Sequence, residues 1–256
     1  MKRRLFLQTS LASALTLPSF ALTPDNPYRK NIGIQLYTLR DQIKNDTAAT
    51  IKAVADAGYK QVEPYASPET PAMLAAAKEN GLAVNSSHFA WESVTNPTKK
   101  GIPPFAKILE DSKKAGLTHL VVPYLHAHNR KSNDDYKRLA DVFNKAAAQA
   151  KEAGIQLSYH NHNFEFKPDA DGQTGFDVFV DEFSEDMKFE LDVFWVKAGG
   201  VDPVKLIKKL EGRVSQLHLK DLKKDLELPN YGKLPNDAFK ELGNGRIEME
   251  PIIEAA

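Results

Sequence analysis

Imidazoles and carboxylates recur where short β-like runs end: Glu63, His88, His160-Asn161-His162, Asp192, and His218 followed by Lys220 and Asp221. Imidazole and carboxylate on neighbouring strands hold a divalent cation such as Mn²⁺, Zn²⁺, Co²⁺ or Mg²⁺, leaving positions open for the vicinal oxygens of a sugar or polyol. Asp192 ends the apolar run Phe189-Glu190-Leu191-Asp192-Val193, where an unpaired charge would cost several kcal/mol unless a cation or donor compensates it. In Gln216-Leu217-His218-Leu219-Lys220-Asp221, alternation puts His218 and Lys220 on one face. Asp192, His218 and one of the paired His160 and His162 are the expected ion ligands, with His160 preferred. Glu63, His162, Glu165 and Lys220 are the candidate proton-moving groups. His88, Asn161 and Trp195 are the candidate substrate contacts, Trp195 as an aromatic wall. Glu165 sits in Glu165-Phe166-Lys167, a pattern that also suits a solvated face. His119, His126 and His128 read as surface residues outside the site.

Such residues converge only if the strands are parallel and neighbouring. Strand-like runs fall at 32–37, 61–65, 83–88, 119–123, 156–160, 188–193 and 214–219, and helical stretches at 47–57, 70–80, 104–115, 133–153, 175–184, 202–210 and 247–256. Gly58, Gly81, Gly116 and Gly154 stand at the helix-to-strand junctions, as C-caps do. Asp46 or Thr47, Ser67, Asn133 and Asp202 offer acceptors at helix starts. Alternating β and α units over more than 200 residues predict a parallel sheet, closed as a (β/α)₈ barrel or open and doubly wound. No Gly-x-Gly-x-x-Gly follows the first run, which favours the barrel. The sequence stops at Ala256 inside its seventh helix, so the expected barrel is truncated before the eighth strand.

Composition sets the limits. The 256 residues carry 34 basic and 34 acidic side chains and no Cys, which excludes disulfides, thiolate metal sites and a thiol nucleophile. Without a basic face, nucleic acid is not an expected partner. Lys2-Arg3-Arg4, the apolar stretch to Leu17 and Ser19-Phe20-Ala21 read as a secretory leader over residues 1–22, with a linker at 23–30 and one barrel domain at 31–256. The Arg-Arg-x-Phe-Leu pattern at Arg3 to Leu7 is of the twin-arginine type, so a periplasmic protein with no membrane span after leader removal is expected. Leader removal takes away three positive charges, leaving a mildly acidic chain suited to a small-molecule partner. A homo-oligomer is compatible with this reading.

The segments Gly33-Ile34-Gln35-Leu36-Tyr37-Thr38-Leu39-Arg40, Tyr159-His160-Asn161-His162-Asn163-Phe164-Glu165-Phe166, Leu191-Asp192-Val193-Phe194-Trp195, Ala198-Gly199-Gly200-Val201-Asp202-Pro203 and Leu217-His218-Leu219-Lys220-Asp221 resemble the xylose-isomerase-like barrel superfamily of sugar phosphate isomerases and epimerases, which also holds inosose dehydratases and endonuclease-IV-like proteins. The resemblance implies a TIM barrel with a metal held by a strand-five Glu, a strand-six Asp, a strand-seven His and a strand-eight Glu. Asp192 and His218 match the middle pair. His160 stands at the strand-five position, as in dehydratase-like relatives, and Trp195 stands where epimerases carry a substrate-binding His. The expectation is a metal-dependent sugar isomerase or epimerase working by enolisation next to a carbonyl. A keto-sugar lyase or dehydratase and a non-catalytic carbohydrate-binding barrel are the rivals. Phosphodiester cleavage is disfavoured by the short supply of ligands and the acidic chain.

Overall fold

A computed structural model describes residues 31–256. The leader and linker readings lie outside the described residues. Seven parallel strands appear in chain order: β1 (Gly33–Gln35), β2 (Gln61–Glu63), β3 (Ser86–His88), β4 (His119–Val122), β5 (Gln156–His160), β6 (Met187–Asp192) and β7 (Val214–His218). Between them run α1 (Arg40–Asn45), α2 (Thr47–Asp56), α3 (Thr70–Glu79), α4 (Glu92–Thr95), α5 (Phe105–Lys114), α6 (Asn133–Glu152), α7 (Gly175–Glu182), α8 (Val193–Ala198) and α9 (Pro203–Lys209). After β7 come a short antiparallel pair, β8 (Asp221–Leu222) with β9 (Phe239–Lys240), and α10 (Met249–Ala255).

β1 pairs with β2, and β3 to β7 form one sheet in sequence order. A bridge from Gln61 to Ala83 and a hydrogen bond from the His88 N–H to the Pro64 carbonyl (2.9 Å) join the two sets. The result is the parallel wall of a TIM barrel. Among the described residues β1 and β7 do not pair with each other, so the cylinder keeps one open seam. It is nonetheless curled, because His218 Nε2 on β7 reaches Glu63 Oε2 on β2 at 2.9 Å.

The period of two along each strand separates core from site. Outward residues such as Leu157, Tyr159, Phe189 and Leu191 pack with Phe143, Phe179 and Phe183 of the helical layer. Val62 faces a second cluster with Ile51, Val54 and Met73. Inward positions are polar instead: Glu63, Ser86, His88, Ser158, His160, Glu190 and Asp192 are all buried. Apolar burial against the helices offsets the cost of this polar interior.

Local chemistry sets the helix ends. Gly116 (φ 80°) and Gly154 (φ 78°) take the left-handed backbone that ends α5 and α6 and turns the chain into β4 and β5. Asp46 and Asp202 cap α2 and α9 as expected, whereas Ser132, not Asn133, caps α6 by accepting from Asp135 N. Ser67 belongs to the turn ahead of α3, accepting from Glu69 N at 3.2 Å, rather than capping the helix itself. No helix among the described residues is long and apolar enough to cross a membrane.

Candidate metal centre

The strand register fixes which side chains share a level. His160 on β5 pairs with Glu190 on β6, Glu190 with Gln216 on β7, and Asp192 with His218. Glu190 and Asp192 therefore point inward two residues apart, one deeper than the other.

Glu190 is the hub of the deeper layer. Its Oε1 lies 2.8 Å from His160 Nδ1, 3.0 Å from His88 Nε2 and 3.3 Å from His218 Nε2. One donor atom from each of His88, His160, Glu190 and His218 lies within 4.8 Å of all the others. Glu63 adjoins this set, with Oε2 3.4 Å from His88 Nε2 and Oε1 accepting from Ser86 Oγ. Gln35 Nε2 lies 3.2 Å from the remaining nitrogen of His88.

Burial decides the charge states. Burial holds the His160 imidazole well below its ordinary range, and the neighbouring His218, Lys220, His162 and His88 add to the effect. His88 is lowered by burial too, against the pull of Glu63. Neutral imidazoles are the form that ligates metal. Glu190 is pushed well above the carboxylate range by burial and by the Glu63 carboxylate beside it. Glu63 is also pushed up by burial, but His88 and His218 outweigh that and leave it below the ordinary value. A buried carboxylate that resists ionisation beside neutral imidazoles has no positive charge to ionise against, and a divalent ion would supply it. Two buried atoms of this layer, Glu190 Oε2 and His218 Nδ1, have no hydrogen-bond partner. Such orphans cost about 1–3 kcal/mol each, so the donor set fits a bound cation.

Asp192 occupies the layer above. Its Oδ1 accepts from Phe194 N (3.0 Å) and Trp195 N (3.3 Å), capping α8, and its Oδ2 accepts from Lys220 Nζ. Oδ2 is also 3.6 Å from His160 Nε2 and 4.0 Å from His218 Nδ1. Asp192 and His218 thus face one space, as the alternation predicts. However, the helix cap and the lysine engage both oxygens of Asp192, and Glu190 takes the central place expected for it. Lys220 reaches the site through this ion pair.

The other expected residues divide. Glu63 and His88 join the deeper layer. His162 stacks on Phe164 (5.3 Å, 7°), lies 5.1 Å from Trp195 and from His160, and has a buried Nδ1 with no partner. Asn161 is fully buried and brackets the Asp192 backbone, accepting from its N–H (2.9 Å) and donating to its carbonyl (3.2 Å). That corrects its expected substrate contact, because both ends of the amide are spent on β6. Glu165 is corrected too. It is neither a solvated face nor a base at the mouth, being fully buried with Oε1 accepting from Tyr159 Oη and Oε2 from His162 N (2.8 Å). Asp221 also leaves the mouth. It is buried, and its carboxylate accepts from Leu222, Gly243, Gly245 and Ile247 N–H groups at 2.8–3.0 Å.

Burial raises the Glu165 carboxyl from 4.5 to about 7, outweighing the hydrogen bonds from Tyr159 and His162. The folded state then holds this proton more tightly than the unfolded state. Glu165 therefore costs stability as pH rises from about 4.5 to 7, roughly 3 kcal/mol over that window. Glu165→Gln removes the slope, so the stability difference between wild type and variant should shift toward the variant by about that amount between pH 4.5 and 8. Urea unfolding at both pH values measures it, and a pH-independent difference would contradict the assignment.

Inosose dehydratase of Clostridium perfringens strain 13 is 32% identical over 131 residues, which are 48% of this chain and 43% of that protein. The chain thus spans less than half the length of the curated relatives it matches. A sugar phosphate isomerase/epimerase structure from Parabacteroides distasonis superposes with a TM-score of 0.67 at 26% identity, covering 88% of this chain and 86% of that one. The IolI protein, solved with a zinc atom, superposes at 0.62 with 14% identity over 87% and 83% of the two chains, a likeness of fold alone. A family profile described as xylose isomerase-like TIM barrel matches residues 51–256. That match covers most of the chain, and the protein accordingly belongs to the xylose isomerase-like TIM barrel family.

Proposed function

We propose that this protein is a divalent-metal-dependent enzyme that removes a proton from the carbon beside a carbonyl of a sugar or polyol, as an isomerase or epimerase. The observation that carries the reading is the His88, His160, Glu190 and His218 set, with one donor atom from each mutually within 4.8 Å and two buried atoms of the same residues, Glu190 Oε2 and His218 Nδ1, unpartnered. When bound there, a divalent ion would polarise the carbonyl and steady the negative charge on its oxygen.

The chain's own groups supply the rest. Burial keeps the His162 imidazole well below its usual range, with Lys220 and His88 adding to the effect, so it is neutral and its unpartnered Nδ1 can accept a proton. Lys220, held on Asp192 Oδ2, presents an ammonium to the oxygen that gains charge. Asn161 and Glu165 hold His162 and Asp192 in register from behind, through backbone bonds rather than contact with substrate.

A dehydratase shares the first step. If the carbon two removed from the carbonyl carries a hydroxyl, the same proton loss leads to expulsion of water, and the similarity to inosose dehydratase favours this second reading. Incubation of the Mn²⁺-loaded protein with ketoses and inososes in deuterated water, followed by NMR, separates the outcomes. Deuterium at the carbon beside the carbonyl, with both epimers present, supports the isomerase. Loss of water to an enone or its diketone tautomer supports the dehydratase. Neither exchange nor water loss with any of them contradicts the proposal.

A further inference from the structure

The rim beyond the metal-candidate layer carries a band of aromatic rings. His162, itself 5.1 Å from His160, meets Tyr124 edge-on at 5.1 Å; Tyr124 meets His126 at 5.7 Å; and His126 stacks on His128 at 5.6 Å and 11°. Trp91, buried, supports His126 from beneath at 5.3 Å. Tyr124 is half-buried and His126 and His128 are exposed, so the band surfaces as it leaves the site. Four rings in series thus run from beside His160 to the surface.

Two lysines and one helix N-terminus at this rim are already engaged. Lys220 is held by Asp192, and Lys99 is 3.0 Å from Glu92. Arg130 donates to the Leu125 carbonyl at 2.9 Å and lies 3.4 Å over the Phe164 ring. The N-terminus of α8, which would otherwise suit a phosphate, is capped by the Asp192 carboxylate. Of these donors a phosphate would find only the Nη groups of Arg130 uncommitted. An uncharged sugar ring needs an apolar face with polar edges, which Tyr124 and the two histidines provide.

We infer that Tyr124, His126 and His128 form an outer subsite for a second, uncharged sugar ring, so that the substrate class is a glycoside or disaccharide rather than a sugar phosphate. This rests on the reading of the His88–His160–Glu190–His218 layer as the reacting centre. The reacting ring lies against that layer and His162, and the glycosidic bond leads the second ring onto Tyr124 and His126.

The test is a titration of the full chain, loaded with Mn²⁺, with glucose, cellobiose and glucose 6-phosphate, followed by saturation-transfer NMR or calorimetry. Cellobiose is expected to bind about tenfold more tightly than glucose, the gain of a good ring-stacking contact, and glucose 6-phosphate no more tightly than glucose. In His126→Ala and Tyr124→Ala the cellobiose-to-glucose ratio should fall toward one, while Tyr124→Phe keeps it. Equal affinity for glucose and cellobiose, or preference for glucose 6-phosphate, overturns the subsite. Its failure is separable from failure of the reaction: proton exchange on a free ketose without a second-ring gain sinks only the subsite, and a second-ring gain without exchange on any ketose or inosose sinks only the reaction.

Discussion

Glu190→Gln should abolish the stabilisation that Mn²⁺ or Zn²⁺ gives the wild-type protein and with it the proton exchange. At an ion concentration a thousand times its Kd, a bound metal adds about 4 kcal/mol, or roughly 10 °C in thermal midpoint for a domain of this size. Glutamine keeps the shape of Glu190 but not its charge, and its amide nitrogen would face imidazole nitrogens now 2.8–3.3 Å from the carboxylate oxygen. Metal affinity should drop by at least about 100-fold, since even residues behind a ligand cost 10- to 100-fold. The metal-free variant should behave in the opposite sense. The raised affinity of Glu190 for its proton costs the folded state stability as pH rises above the ordinary carboxylate range, so removing the carboxyl should relieve the metal-free protein at neutral pH. Thermal melts with and without ion, at pH 5 and 8, measure both effects. An unchanged ion-induced shift in the variant would show that Glu190 is not a ligand.

Asp221→Ala should be the most destabilising single change outside the apolar core, by about 3–5 kcal/mol. Four backbone N–H groups converge on this carboxylate, from Leu222 and Ile247 onto Oδ1 and from Gly243 and Gly245 onto Oδ2. Without it, Leu222 and Ile247, both buried, would leave donors with no acceptor. Gly245 approaches so closely that a Cβ there would stand 2.1 Å from Asp221 Oδ1, so Gly245→Ala should act through the same contact. Asp221→Asn keeps one oxygen but turns an amide nitrogen toward two donors, and should fall between wild type and alanine. Urea denaturation gives the values. A loss under about 1 kcal/mol for alanine would mean that water replaces the carboxylate and the loop does not depend on it.

The seven strands and the long helices were legible in the sequence because their signal is periodic and local. The β5 segment 156–160 has the expected bounds, and the other strands agree to within a few residues at their ends. Three short helices and the β8–β9 pair escaped, for identifiable reasons. Val193 reads as the end of the 188–193 strand, and the aromatic and β-branched Phe194-Trp195-Val196 gives no helical signal, yet the Asp192 cap turns this segment into α8. Strands of two residues, such as β8 and β9, have no period to detect. Gly243-Asn244-Gly245 is the donor end of a contact with Asp221, which only the tertiary fold brings together.

At the site, the residue types were legible and their depth was not. Glu190 and Asp192 share a face by the period of two, so the pattern that singled out Asp192 held Glu190 as well. What distinguishes them is which one faces three imidazoles and which one ends the strand and caps a helix. Glu165 fails for the converse reason: a Glu-x-Lys pattern gives no hint that a short turn folds the side chain back under Tyr159.

The His88, His160, Glu190 and His218 layer is expected to hold one divalent ion. Elemental analysis after dialysis against Mn²⁺ or Zn²⁺ and removal of free ion tests it most directly, with wild type beside His218→Ala. One equivalent of metal is expected in the wild type and less than a tenth of that in the variant. A wild-type protein that retains no metal, or a variant that retains as much as the wild type, would contradict it.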